Sequence, residues 1–527
     1  MKRKQRTRGE KGIGTVTLAC LFLATVIPSA ARELSLEAIP GAEPRNVVVI
    51  LVDDQRHDAM SCAGHPFLET PGADAIAREG VRFRNAYVTT SLCSPSRASI
   101  LTGLYAHSHG VVDNRTLVSP DLVFFSEYLQ ESGYETAFVG KWHMGRSSDE
   151  PRRGWDHWVS FAGQGHYFPE LRGGRTARFN VNGERVPQTK YITDELTDYA
   201  VEWLRGRSGS EEGRGQKPWL LYLSHKAVHH DFSPAPRHVA RFAEVEVPPF
   251  PHTAGTPDDE KKPMWARNQR NSWHGAEFPF HGSLGETADI YRRYCEAMIA
   301  VDESTVRVLE TLEELGLSDS TLVIYTSDNG HLWGEQGLID KRTAYDASIR
   351  VPLLMRCPDL FEGGRVLEEM AANLDIAPTV LEAAGLEPPA HYQGASLLPL
   401  ARGEEPEGWR SELLYEYFWE RWAPSTPTIH ALVTPGWKYV RAYGLWDLHE
   451  LYDTRNDPAE LRNLFGDPAH RERAMQMDAR LFELLEETGG DSIPLLRGWN
   501  GSAKELRHPD QSEWAPFPDV MIGVEDR

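Results

Sequence analysis

Val47-Val-Val-Ile-Leu-Val52 runs without a polar interruption and ends directly in Asp53-Asp54. An unbroken, largely β-branched apolar run of this length predicts a strand buried on both faces. Three further runs share its texture: Thr136-Ala-Phe-Val139, Trp219-Leu-Leu-Tyr-Leu223 and Thr321-Leu-Val-Ile-Tyr325. Between the last two, Val301, Val308, Leu312 and Leu315 fall on one face of a helix predicted over 288–315, which Gly316 ends. Strands separated by helices from about Arg45 to Leu400 predict an α/β fold with a large, mostly parallel sheet sandwiched by helices.

The remaining segments are arranged around that sheet. Residues 231–285 are rich in Pro, His and charge without periodicity, which predicts a long excursion at the sheet edge facing the substrate as a lid. Gly403-Glu-Glu-Pro-Glu-Gly408 reads as a linker. Beyond it, strand-like stretches at 413–418, 429–433 and 437–443 precede a helix from Pro468 to Glu487 with Asp467 as its N-cap. Together they predict a smaller α+β unit over 409–490, followed by a tail over 491–527. At the other end, Lys2, Arg3, Lys4, Arg6, Arg8 and Lys11 precede an apolar stretch from Ile13 to Ile27, and Ser29 and Ala31 are small. That pattern predicts a signal peptide over residues 1–31, discarded together with Cys20, and an exported chain, periplasmic or secreted, without a stable membrane span.

Composition narrows the classes of function. Of the 527 residues, 40% are hydrophobic and 25% charged, which excludes a disordered, collagen-like or polytopic membrane chain. A net charge of −21 repels polyanions and argues against nucleic acid as a partner. It still leaves room for a small anion in a locally basic pocket. Outside the leader, Cys62, Cys93, Cys295 and Cys357 have neither zinc-pair spacing nor the number needed for a disulfide framework.

The chemistry gathers where the predicted strands end. The first ends in Asp53-Asp54, the second in Gly140-Lys141-Trp142-His143, the third in Ser224-His225-Lys226 with His229 beyond, and the fourth in Ser327-Asp328-Asn329-Gly330. Open parallel sheets bind ligands at the carboxyl ends of their strands. Asp53, Asp54, Asp328 and Asn329 offer only oxygen, which suits Ca²⁺, or Mg²⁺, over zinc or copper. Cys93-Ser-Pro-Ser-Arg97 then runs into a helix-like stretch. A Cys-x5-Arg phosphatase loop is excluded because position 99 is Ser. What remains is a nucleophile and a guanidinium at the start of a helix, where anions are favoured. A plain thiolate is a poor partner for a hard cation.

Cys93-Ser-Pro-Ser-Arg97 with Leu101-Thr-Gly103 resembles the signature of type I sulfatases, a family of the alkaline phosphatase-like superfamily. Val52-Asp-Asp-Gln55, Gly140-Lys-Trp-His-Met-Gly145, Ser327-Asp-Asn-Gly330, Asp340-Lys-Arg-Thr-Ala-Tyr-Asp346 and Glu450-Leu-Tyr-Asp453 follow the order of that family's motifs. The resemblance implies that a maturating enzyme, formylglycine-generating or anaerobic, oxidises Cys93 to formylglycine. It further implies that Asp53, Asp54, Asp328, Asn329 and the modified Cys93 hold the cation. One hydroxyl of the aldehyde hydrate attacks sulfur, with Arg97 offsetting its charge and Lys141 and Lys341 binding sulfate oxygens. His229, with Lys341, protonates the leaving oxygen, and His143 takes the proton whose loss expels sulfate. His225 competes with His229, since Asp231 stands where the family commonly has Pro.

His107, His109 and Asn114 follow the nucleophile helix and are candidates, with His225, for the substrate pocket. This region and Lys341-Arg-Thr-Ala-Tyr345 are similar to the N-acetylglucosamine-6-sulfatase branch, implying a sulfated carbohydrate as substrate. Trp155, Trp158, Tyr167, Trp265, Trp273, Trp419 and Trp422 are aromatic side chains suited to stacking on sugars. A phosphonate or phosphate ester hydrolase, or an inactive glycan-binding homologue with unmodified Cys93, are the alternatives.

Overall fold

The computed structural model describes residues 34–145, 147–207, 217–270, 274–275, 287–421, 423–443 and 448–492. The predicted signal peptide, Trp273, Trp422, the last part of the predicted lid and nearly all of the predicted tail lie outside the described residues.

The four apolar runs become strands Asn46–Val52, Glu135–Gly140, Trp219–Ser224 and Thr321–Ser327. They occupy the middle of a ten-stranded sheet. From one edge its order is Arg365–Ala372, Val81–Tyr87, Leu353–Arg356, Thr321–Ser327, Asn46–Val52, Trp219–Ser224, Glu135–Gly140, His157–Ser160, Arg178–Val181, Glu184–Pro187. The five strands from Thr321–Ser327 to His157–Ser160 are parallel. Leu353–Arg356 runs antiparallel to both of its neighbours. A strand with helices over both faces must be apolar at every position, and Val47 through Val52 are all fully buried. Val48, Ile50 and Val52 pack in one cluster with Ile76, Leu196 and Val301, which belong to helices Pro71–Glu79, Ile192–Arg205 and Thr287–Glu314. Helices Cys93–Thr102, Phe125–Glu131 and Ile376–Ala383 pack on one another in a second group. The long helix Thr287–Glu314 matches the predicted one within a residue at each end, and Gly316 after it adopts φ 67°.

Beyond residue 400 a separate antiparallel sheet forms from Leu413–Tyr417, Thr428–Thr434, Trp437–Tyr443 and Glu450–Tyr452. The predicted final helix divides into a 3-10 turn at Pro468–His470 and an α-helix Arg471–Thr488, with the Asp467 side chain accepting from Ala469 N. The described part of 231–285 holds two 3-10 turns and the short helix Met264–Gln269. Among the described residues, Cys62, Cys93, Cys295 and Cys357 are all free thiols.

Candidate active site

Register brings the strand ends level. Leu51 and Gly140 both pair with Ser224, and Val52 pairs with Ser327. Asp53, Lys141 and Asp328 therefore leave the sheet side by side. Backbone bonds carry the ladder one step further: Lys141 N donates to Ser224 O at 2.8 Å and Asp53 N to Ala227 O at 3.0 Å. Gly140 is required at this point, because at its φ of 126° a Cβ would lie 1.8 Å from Ser224 O. Asp54, His143, Asp340 and Arg342 sit in left-handed conformations, with φ of 64°, 55°, 87° and 73°. Side chains other than glycine reach that region at a cost, and such residues concentrate where a site must be shaped.

Cys93 is the first residue of helix Cys93–Thr102 and is fully buried. Its thiol donates to Asp53 Oδ1 at 3.7 Å, and Lys341 Nζ donates to Cys93 Sγ at 3.3 Å. Lys341 also pairs with Asp54, and Lys141 pairs with Asp53. Arg97, one helical turn on, ties three strand ends together. Its Nε donates to Asp328 Oδ2 at 2.8 Å, and one terminal nitrogen reaches both Lys141 O and Ser224 Oγ at 2.7 Å. Asn114 Oδ1 accepts from Ser94 N at 3.0 Å, and Ser94 Oγ donates to the carbonyl of His143, so the helix start is fastened on two sides.

Ligand atoms of Asp53, Asp54 and Asp328 lie within 4.8 Å of one another, as do those of Asp53, Cys93 and His229. Burial raises the carboxyl of Asp328 to about 7, with Asp53 beside it adding to the shift. Burial likewise raises Asp54 despite the pull of Lys341. Burial opposes ionisation of Asp53 too, but Lys141, His229 and Arg97 hold it well below the usual carboxylate range. Burial pushes the Cys93 thiol up to about 12, so it stays protonated at neutral pH. Burial, then Lys141, holds His143 and His229 well below the ordinary imidazole range. Asn329 Nδ2 donates to Asp54 Oδ1 at 2.6 Å, while its Oδ1 is buried without a hydrogen-bond partner. Crowded buried carboxylates beside an unpaired amide oxygen form an oxygen-only donor set, which fits a hard divalent cation. A thiol kept neutral among hard oxygen and ammonium groups is a poor nucleophile as it stands, which fits a modified Cys93.

Ten predicted residues come together here: Asp53, Asp54, Cys93, Arg97, Lys141, His143, His229, Asp328, Asn329 and Lys341. Asn114 joins them through the helix start. Three do not join. His225 is buried with its Nε2 against Ser304 Oγ of the long helix at 3.1 Å. His107 is bonded to Glu416 Oε1 at 2.7 Å and to Thr488 O at 2.9 Å, beneath the C-terminal sheet. His109 is enclosed between Ser99 Oγ and Val111 N. The physical reason is the same for all three: each imidazole satisfies buried neighbours rather than facing the rim. Of the described aromatic side chains offered for stacking, Trp155 and Trp158 pack against Phe138, Trp265 is buried, and Trp419 is 41% exposed. Tyr167 is buried too, and its hydroxyl reaches the carbonyl of His229.

Sequence reasoning did not single out Asp340, Arg342 or Lys226. Asp340 and Arg342 flank Lys341, pair with each other, and bond outward to His274 and Glu420 respectively. Lys226 was present in the third strand-end run, but nothing in its spacing separated it from a solvated lysine.

A mostly parallel sheet whose strand ends gather a cation-type carboxylate cluster, a helix-start cysteine and basic side chains defines an alkaline phosphatase-like hydrolase. Residues 45–386 match the sulfatase family model, and residues 334–487 match the model described as N-sulphoglucosamine sulphohydrolase, C-terminal. The chain belongs to the sulfatase family and is a sulfuric ester hydrolase. It is 32% identical to the N-acetylglucosamine-6-O-sulfatase of Bacteroides thetaiotaomicron over 88% of this chain and 90% of that protein. A solved sulfatase structure in complex with its substrate D-glucosamine-2-N,6-O-disulfate superposes with a TM-score of 0.74 at 30% identity, covering 86% of this chain and 99% of that one. A phosphonate monoester hydrolase from Silicibacter pomeroyi shares the fold with a TM-score of 0.72 at 23% identity, covering 88% of this chain and 99% of that one.

Proposed function

We propose that this sulfatase removes an O-sulfate from a carbohydrate, N-acetylglucosamine-6-sulfate or a related glycan sulfate. The observation that carries this reading is the 32% identity, over nine-tenths of its length, to an N-acetylglucosamine-6-O-sulfatase. Asp53, Asp54, Asp328 and Asn329 would hold a divalent cation, Ca²⁺ by preference, with the modified Cys93 completing the set. A cation held there would supply positive charge, and formylglycine would supply the oxygen nucleophile.

The chain's own residues do the rest. Lys141 and Lys341 bind sulfate oxygens and stabilise charge where it develops. Arg97 holds Asp328 and the ends of two neighbouring strands in place, so the basic groups keep their geometry. His229 stands with its Nε2 3.9 Å from Asp54 Oδ2 and gives a proton to the departing alcohol. Bound sulfate, being anionic, raises the proton affinity of that imidazole. His143, held neutral by burial, accepts the proton whose removal releases sulfate.

The smaller unit over 409–490 closes the site from the Lys341 side, and a leader over 1–31 takes the chain out of the cytoplasm to the periplasm or beyond. Maturation of Cys93 calls for an oxidising partner enzyme. Among the described residues no helix is long and apolar enough to cross a membrane.

The test is desulfation by purified protein whose Cys93 peptide has been checked by mass. Release of sulfate from N-acetylglucosamine-6-sulfate or a related sugar sulfate is the expected result. Turnover of aryl sulfates alone removes the sugar from the proposal. Preference for phosphonate esters moves the site to the other branch of the fold. Binding of sulfated sugar without turnover, with an unoxidised cysteine, leaves a glycan-binding homologue.

A further inference from the structure

The imidazole of His229 is carried by a loop with no regular structure, yet its backbone is held from outside by three buried side chains. Tyr167 OH donates to the carbonyl of His229 at 2.6 Å. Lys226 Nζ donates to the carbonyl of His230 at 3.1 Å. Tyr191 OH donates to the carbonyl of Ser233 at 2.9 Å. The donors also brace one another. The rings of Tyr167 and Tyr191 are stacked with centroids 5.8 Å apart, and Lys226 Nζ lies 4.3 Å from the centroid of Tyr167. All three side chains are buried, so each bond forms away from competing water.

One of those carbonyls acts directly on the imidazole. His230 O accepts from His229 Nδ1 at 3.0 Å. A carbonyl can only accept, so the hydrogen of the neutral ring sits on Nδ1, and Nε2 is the nitrogen that faces Asp54 and the cysteine. The orientation of the ring, and which nitrogen works, therefore depend on where His230 O is placed. Lys226 places it from one side and Tyr167 fixes the preceding carbonyl. Neither tyrosine belongs to the strand-end motifs. Both come from the segment between the strand His157–Ser160 and the helix Ile192–Arg205, which is fastened to that helix by Ile192 N donating to Tyr167 O at 2.9 Å.

We propose that Tyr167 and Lys226, backed by Tyr191, are positioning residues for the leaving-group acid: they fix the carbonyls of His229 and His230 so that His229 Nε2 is aimed at the bridging ester oxygen. The inference rests on the reading that His229 delivers the leaving-group proton. As the oxygen nucleophile at residue 93 bonds to sulfur, the bridging S–O bond breaks with its electron pair left on the bridging oxygen. The proton that His229 Nε2 takes up once the anionic sulfate ester is bound neutralises that oxygen, releasing the alcohol. A sugar alkoxide needs that proton, whereas 4-nitrophenolate leaves as a stable anion without it. Removing the clamp should therefore harm alkyl sulfates selectively.

Tyr167→Phe and Lys226→Met each delete one donor and keep most of the side-chain volume. In the matured, cation-loaded enzyme, each is expected to lower kcat on the sugar 6-sulfate by about 10- to 100-fold, the loss typical of a misplaced general acid. Turnover of 4-nitrophenyl sulfate should fall far less. Amide hydrogen exchange of the peptide spanning 225–235 should speed up, while that of the strand Trp219–Ser224 does not. Equal losses on the two esters with unchanged exchange would overturn the proposal. Should one variant not fold, the other carries the same comparison. His229→Ala is run alongside. If it too loses both esters equally, the acid role of His229 falls and the clamp falls with it. If His229→Ala spares the aryl ester while Tyr167→Phe and Lys226→Met do not, the clamp alone is wrong.

Discussion

Two of the clusters of buried charge among the described residues are built differently. At the rim of the large sheet, Asp53, Asp54 and Asp328 crowd together opposite Lys141, Lys341 and Arg97. Against the C-terminal sheet, Lys438 is shared by the carboxylates of Asp346 and Glu460. Around that second group, Tyr345 OH donates to Glu450 at 2.7 Å, Lys262 Nζ donates to Tyr452 OH at 2.8 Å, and Asp346 N donates to Glu460 at 2.7 Å. The second cluster closes on itself and joins the Lys341 segment to the smaller sheet. The first keeps an unpaired Asn329 Oδ1 and an unpaired His143 Nδ1, both buried, while left-handed backbone occurs in both, at Asp54 and His143 in the first and at Glu460 in the second. Burial of charge is common to both. What marks the working site is three like-charged carboxylates within 4.8 Å of one another together with polar capacity left over.

That contrast can be broken by experiment, starting with the largest effect. Cys93→Ala should cut kcat by at least about 10⁴-fold, as loss of a nucleophile does, while leaving the melting temperature almost unmoved. A large drop in melting temperature would place Cys93 with the structural cluster instead. Lys438→Met should do the reverse. It strands two buried carboxylates and should cost about 3–5 kcal/mol in denaturant unfolding, with kcat of the folded enzyme much less affected. Third, Ca²⁺ at about a hundredfold excess over its Kd should add about 2.7 kcal/mol to the stability of the chelator-stripped protein. Asp328→Asn should abolish that gain and Asp346→Asn should preserve it, as read by melting curves with and without calcium.

The smallest effect is pH dependence at the closed cluster. Burial opposes the charge of Asp346, whose side chain is 16% exposed, but Lys438 and Arg350 bring its carboxyl to about 2. A depressed acid contributes stability above its unfolded value of 3.8 and loses it as pH falls toward 2, a shift worth about 2 kcal/mol. Glu460 is pushed up to about 7 by burial, against the pull of Lys438. Its contribution has the opposite sign: present below about 4.5, it is lost as pH rises through 7. Asp346→Asn should flatten the acid limb of the stability profile, and Glu460→Gln the limb between pH 4.5 and 7, measured by urea unfolding at each pH.

The rim was legible in the sequence because its residues follow buried strands directly. An apolar run that stops at Asp53 or Asp328 announces both the strand and the place where it opens to the ligand. The antiparallel strand Leu353–Arg356 and its neighbour Val81–Tyr87 carried no such marker. The latter alternates buried and partly exposed positions and owes its place to long-range pairing. His225 and His229 could not be separated by spacing alone. Three intervening residues of irregular chain send one to Ser304 and the other to Asp54. His107 and His109 looked like pocket residues because they follow the nucleophile helix, but the C-terminal sheet and the end of the last helix, far along the chain, cover His107, and His109 turns back onto Ser99 of the nucleophile helix. Nor could any local pattern link Tyr167 to His229 or Lys438 to Asp346.

The common level of Leu51, Ser224 and Gly140 carries one more consequence. Side chains alternate along a strand, so a neighbour threaded one residue out of step would turn Asp53, Lys141 or Asp328 to the opposite face. Partial activity from a mispaired sheet is thus ruled out by geometry. Among molecules that carry the modified residue 93 and the cation, turnover then reports the chains in which every central strand has found its correct neighbour.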